Sequence, residues 1–135
     1  MSTKALGIRG AVATRKVMPR VATFSRKIAL PTLEGIIFER TQQIICLEAQ
    51  GNYTSILFAN SRKLLVSKTL GELENMLNDG CRFVRIHRSS TINLDYLHKY
   101  IKGKGGYVIM ENGDSIAVSN GKKQDFMEAI RIYFA

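Results

Sequence analysis

From Ile28 to Ser119 the chain is cut repeatedly into short apolar runs, each closed by a turn-forming residue. That punctuation constrains the fold more than any other feature, because runs of this length are too short for most helices and suit strands. "IALP" opens the series. "GIIFER" (35–40) and "QIICLEA" (43–49) follow, separated by Thr41-Gln42. "NYTSILFA" (52–59) comes after the Gly51 break, and "RKLLVS" (62–67) after Asn60-Ser61, so 53–66 reads as a hairpin. The runs are rich in β-branched and aromatic residues, which pack well on a pleated surface.

The period then changes. Thr69-Leu70-Gly71-Glu72 has the form of a capping box, and Leu70, Leu73, Met76 and Leu77 recur at helical spacing. This predicts an amphipathic helix over 70–78, stopped by Asp79-Gly80. "RFVRIH" (82–87) returns to strand character. Ser89, Ser90 and Thr91 are expected to leave the strand, with Asn93 capping a turn over Leu94–Leu97. "HKYIKG" (98–103) and "GYVIME" (106–111) flank Gly103-Lys104-Gly105. Asn112-Gly113 is a strong hairpin signal joining 106–111 to "SIAVS" (115–119). Phe126, Met127, Ile130 and Tyr133 predict a terminal helix from about Lys123. The expected fold is mainly β, built of antiparallel sheets with two or three short helices.

The charge is unevenly placed. Of the net +9, residues 1–28 carry seven basic and no acidic residues, whereas 29–135 hold 13 basic against 11 acidic, so +2. Residues 1–28 are expected to form a basic, flexible arm, and 29–135 the folded domain. The arm's Arg-, Ala- and Ser-rich composition also resembles a transit peptide, but it lacks the continuous apolar core of a secretory signal. Such an arm is attracted to nucleic acid or anionic membrane without showing that the body binds either. No apolar run approaches the roughly 20 residues of a membrane span. Cys46 and Cys81 read as buried free thiols, consistent with a reducing cytoplasm.

Catalytic constellations are poorly supported. His87 and Ser89 or Ser90 are near in sequence, but no nucleophile elbow is present, and Asp95 lies in the same short segment. His87, His98, Cys46 and Cys81 lack paired metal-ligand spacing. Glu72 and Glu74 are expected to be solvated on the helix surface. Gly103-Lys104-Gly105-Gly106 lies between two strands, so it lacks the following helix that holds phosphate. The expectation is therefore a non-enzymatic chain without cofactor or metal.

Polar residues in three loops point elsewhere. Gln50, Asn52 and Tyr53 form one set, His87, Arg88 and Ser89 a second, and Ser119, Asn120, Lys122 and Lys123 a third. Arg and Lys reach phosphates and guanine edges, Asn reaches adenine edges, and Ser reaches either. A rigid β body presenting all three sets to one duplex would bind DNA. The competing reading is a protein-interaction module whose basic arm adheres to anions, which the body's +2 favours.

The order of motifs decides between them. "IICLEAQGNYTSILF", "SKTLGELENML", "FVRIHRSSTINLDYL" and "VIMENGDSIAVS" together resemble the LytTR-type DNA-binding domain of bacterial transcription regulators, over about four-fifths of the chain. The His-Arg-Ser…Asn-Leu piece is the most specific. The resemblance implies an elongated β fold that docks loops into successive major grooves of double-stranded DNA, commonly at paired direct repeats. It implies base contacts from the Asn52–Tyr53 loop, Arg88 and Asn120, with His87, Ser89 and Lys122 close to the backbone. Where the family often has arginine directly after valine-serine, this chain has Asn120-Gly121, which shifts the expected preference from guanine towards adenine. Members are usually fused to a phosphoacceptor receiver in two-component systems, and a 28-residue arm has no room for one. A separate receiver or sensor protein is therefore an expected partner, and a homodimer on DNA another. Phe83, Ile86, Ile92, Leu94 and Leu97 are expected in the core, Asn93 as a buried turn cap, and Arg85 paired with an acid such as Glu48.

Overall fold

The structure is a computed structural model that describes residues 26–77 and 82–135. The expected helix stop at Asp79-Gly80, Cys81, and residues 1–25 of the basic arm lie outside the described residues. Among these described residues, ten strands and two α-helices follow in order: β1 (Lys27–Thr32), β2 (Gly35–Arg40), β3 (Ile44–Gln50), β4 (Tyr53–Phe58), β5 (Lys63–Val66), α1 (Leu70–Met76), β6 (Phe83–His87), β7 (Ser90–Asn93), β8 (Leu97–Ile101), β9 (Tyr107–Met110), β10 (Ser115–Ala117) and α2 (Asn120–Tyr133). β1 begins at Lys27, inside the segment read from sequence as arm.

All pairing is antiparallel. A five-stranded sheet in the order β5-β4-β3-β7-β6 forms the centre, and β1-β2 and β10-β9-β8 form two smaller sheets. β3 sits in the middle because it is apolar on both faces. A register shift between Ile44 and Cys46 turns Ile44 and Leu47 to one side and Ile45 to the other. This explains the uninterrupted Ile44-Ile45-Cys46-Leu47 run, which a sheet with one wet face would have broken with polar residues.

Two cores result. On one face, Ile44, Leu47, Ile56, Phe58 and Val66 pack against Ile28 and Leu30 of β1 and Leu70, Leu73 and Leu77 on and after α1. On the other, Ile45, Leu57, Ile86, Ile92 and Leu94 pack against Val108, Met110, Val118 and Phe126. The Phe126 ring lies 5.4 Å from that of Tyr100. Fully burying a side chain of this size stabilises the fold by about 2–3 kcal/mol. Between β8 and β9, Gly106 packs closely: a Cβ there would sit 2.8 Å from the Tyr100 hydroxyl oxygen and 3.1 Å from the Ile101 carbonyl oxygen.

Thr69 and Glu72 form the predicted capping box. The Thr69 side chain accepts from the Glu72 N–H, and the Glu72 carboxylate accepts from the Thr69 N–H at 2.8 Å. The bond to the Thr69 backbone holds the Glu72 carboxyl below its ordinary range. At the other end of α1, Arg26 Nη2 donates to the Met76 carbonyl at 2.7 Å.

Four local expectations are corrected. Ser90 and Thr91 do not leave the sheet: Ser90–Asn93 is the buried strand β7, and only Arg88 and Ser89 form the turn. Its polar residues are tolerated inside because they are bonded, Thr91 Oγ1 donating to Glu74 at 2.5 Å. Arg85 pairs with Glu74 rather than Glu48. Glu74 is therefore not merely solvated. α2 begins at Asn120, three residues before the expected Lys123. Asn93 is a buried turn cap as expected, its Oδ1 accepting from the Asp95 N–H at 2.9 Å and its Nδ2 donating to the Ile44 carbonyl at 2.8 Å. Ile86, Ile92 and Leu94 are buried, and Phe83 and Leu97 pack against the cores. Among the described residues, no helix is long and apolar enough to cross a membrane.

Candidate nucleic-acid interface

Strand directions bring the three polar loops to one end of the central sheet. β3 ends there at Gln50, and β4 restarts at its partner Tyr53, so the two-residue loop is Gly51-Asn52. Gly51 has φ +63, where an L side chain would be strained, and Asn52 is exposed at the tip. β6 ends at His87 and β7 restarts at Ser90 at the same end. The two turns are linked directly, since the Ala49 N–H donates to the Ser89 carbonyl at 2.8 Å. The third segment is tied in by the Ser119 N–H, which donates to the Ile86 carbonyl at 2.9 Å. That bond places the start of α2, with Asn120 and Lys122, beside the end of β6.

The β6–β7 turn is held by a charged network. Arg85 forks onto Glu74 of α1, with Nε at 2.7 Å and Nη2 at 2.9 Å from its two carboxylate oxygens. The third nitrogen, Nη1, donates to the Arg88 carbonyl at 3.0 Å. Arg85 thus joins helix to turn and fixes the backbone from which exposed Arg88 projects. Burial pushes the Glu74 carboxyl up, but bonds from Arg85 and Thr91 and the charges of Arg85 and Lys122 outweigh it and hold the group below its ordinary range. The sequence offered no pointer to this pairing, because Glu74 and Arg85 are 11 residues apart on elements of different type.

His87 and Ser89 close the same turn. The Ser89 N–H donates to His87 Nδ1 at 3.2 Å, and the Ser89 Oγ lies 2.9 Å from the same nitrogen. In the backbone contact Nδ1 is the acceptor. The sequence reading treated this pair as neighbours in sequence only, and the register shift between Arg85 and His87 is what folds them together. Among the described residues no carboxylate bonds the ring, so the contact shapes a turn without the orienting acid of a triad.

Of the eight residues singled out from sequence, Asn52, Tyr53, His87, Arg88, Ser89, Asn120 and Lys122 meet at this end. Lys123 is half-buried, and its Nζ lies 3.5 Å from the Gly103 carbonyl, so it leans towards the β8–β9 loop. The Val118 N–H donates to the Gly106 carbonyl at 2.9 Å, which brings 102–106 alongside, with exposed Lys102 and Lys104. Lys68 also belongs here, since Thr54 Oγ1 donates to its carbonyl at 2.7 Å. One end of the molecule thus offers amide, guanidinium and ammonium donors on separate rigid supports, the donor set that phosphates and base edges accept from.

The family model for the LytTr DNA-binding domain matches residues 34–131. The chain is 32% identical over 107 residues to the CO-responsive transcriptional regulator RcoM of Rhodospirillum rubrum, covering 78% of this chain and 44% of that protein. Its fold is similar to that of a LytTr DNA-binding domain from Bacillus cereus, with a TM-score of 0.67 and 23% identity, covering 77% of this chain and 95% of the other. The family model spans both turns, the capped helix and nearly all of α2, and the chain belongs to the LytTr DNA-binding domain family.

Proposed function

We propose that this chain reads a specific double-stranded DNA sequence and thereby regulates transcription, with its loops docked in successive major grooves. Membership of a DNA-binding family supports the first half of this reading. The observation that carries the rest is the convergence of the Asn52–Tyr53 loop, the His87–Ser89 turn and the Asn120–Lys122 segment on one sheet end. Arg88 is assigned to a base edge, with Asn52 and Asn120 as further readers. His87, Ser89, Lys122 and Lys123 are assigned to sugar and phosphate. Tyr53 shapes the first loop.

The chain spans 44% of the length of its curated relative, so that protein's carbon monoxide response is not carried over. A signal reaching this domain comes from a receiver or sensor, and the cytoplasm is its proposed location. Paired direct repeats are the proposed target, as the family resemblance implies.

Selection of bound duplexes from a random pool by the full chain tests this reading. One enriched motif, recovered as a spaced repeat, is expected. A pool that stays random after several rounds would leave only non-specific anion binding and would favour the protein-interaction module.

A further inference from the structure

A fourth basic segment reaches the end where the three polar loops meet. Ile101 of β8 and Ala117 of β10 both pair with Tyr107, so the loop 102–106 sits where β10 leads the chain on to Asn120. It is carried by the β10-β9-β8 sheet, a support separate from the central sheet. The Val118 N–H bond to the Gly106 carbonyl fastens one end of the loop, and Lys123 Nζ lies 3.5 Å from the Gly103 carbonyl. Lys123 thus adds a third ammonium group to those of exposed Lys102 and Lys104.

The chemistry of this loop is one-sided. Among the described residues neither Lys102 nor Lys104 forms an ion pair. Like charges gathered in this way repel one another, and a polyanion relieves that repulsion. Gly103 and Gly105 have φ +130 and +70, and a Cβ at either would meet nothing within 4 Å. They serve the backbone conformation rather than packing, and they leave the loop bare enough for another molecule's backbone to come close. A single phosphate has no helix N-terminus to seat on, because β9 follows the loop directly. A duplex needs none, since it presents a charge about every 1.7 Å of its axis to ammonium groups that reach out.

We infer that the β8–β9 loop grips the DNA backbone on the outer flank of the Asn120–Lys122 segment, through Lys102 and Lys104, with Lys123 holding the loop in place. The inference rests on the proposed reading of duplex DNA and adds to the three loops a contact that is indifferent to sequence. Phosphate contacts fix register and orientation without carrying sequence information. The loop thereby sets how the Asn120 segment sits over its bases.

Salt-dependent titration and hydroxyl-radical footprinting of the full chain on the selected duplex test it. The double variant Lys102→Ala/Lys104→Ala should keep the wild-type thermal melt. Its salt slope should be shallower by about two, with the same fold-loss on selected and scrambled duplexes. Its footprint should lose protection over one backbone stretch at the edge of the site and keep the rest. Lys63→Ala removes an exposed lysine at the opposite end of the central sheet and should change neither slope nor footprint. A double variant with the wild-type slope, a loss confined to the selected duplex, an intact footprint, or an equal fall in slope for Lys63→Ala would overturn the inference and leave the DNA reading standing. A wild-type chain that enriches and protects no duplex would overturn both.

Discussion

Arg85 couples the packing of α1 to the turn that carries Arg88. Its guanidinium is shared between Glu74 and the Arg88 carbonyl, so it positions the turn and is not itself available to phosphate. Glu74→Gln should therefore weaken site-specific binding by roughly 1–2 kcal/mol while leaving non-specific binding and its salt slope unchanged, as read by titration of matched and scrambled duplexes. The same pair sets an acid limit. A carboxyl held below its unfolded value contributes stability that is fully present above that value, 4.5, and is lost as pH falls through the lower folded one. The stability difference between wild type and Glu74→Gln should thus be flat above about pH 5 and shrink below about pH 4 in urea unfolding. Lys122→Ala should lower affinity for all sequences alike and reduce the salt slope by about one. Cys46 makes a different prediction. Burial, then the nearby Asp114 and Glu48 carboxylates, push its thiol up to about 12. It should resist alkylation at neutral pH in the folded chain and react on unfolding, with peptide mapping reading it separately from Cys81. A Cys46 alkylated as fast folded as unfolded would contradict the burial.

At the scale of elements, local chemistry was legible wherever a residue acts on its near neighbours. The Thr69–Glu72 capping box, the Asn93 cap and the Asn60-Ser61 hairpin are all set within a few residues, and each was read from sequence. Thr69→Ala should cost about 1 kcal/mol of stability in thermal or urea unfolding. What stayed hidden depended on partners distant in sequence. Ser90 and Thr91 look like loop residues until Leu47, Glu48 and Glu74 are placed beside them. The start of α2 was missed because Asn120 and Gly121 are poor helix formers, and the Ser119 N–H bond to Ile86 is what fixes that end. Phe126 holds α2 to the rest of the fold through the second core. Phe126→Ala should cost about 3–5 kcal/mol and loosen the Asn120–Lys122 segment with it.

For the molecule as a whole, the candidate site was legible as a list of residues but not as a surface, since only strand order shows which turns share a sheet end. Lys68, Lys102 and Lys104 were overlooked because they belong to loops that carry no motif. β1 begins at Lys27 and Arg26 bonds the end of α1, so two residues of the segment expected to be arm belong to the described fold. Removal of residues 1–25 should reduce affinity and salt slope but preserve discrimination between sites. The central claim is that the folded body reads bases, and Arg88→Ala tests it most directly. The measurement is the affinity of wild type and variant for the selected duplex, and for copies of it altered at each base pair, at one fixed salt concentration. The account predicts a loss of roughly 1–3 kcal/mol on the selected duplex, with preference erased at one base pair and kept at the others. An unchanged affinity, or a uniform loss on every duplex, would contradict it.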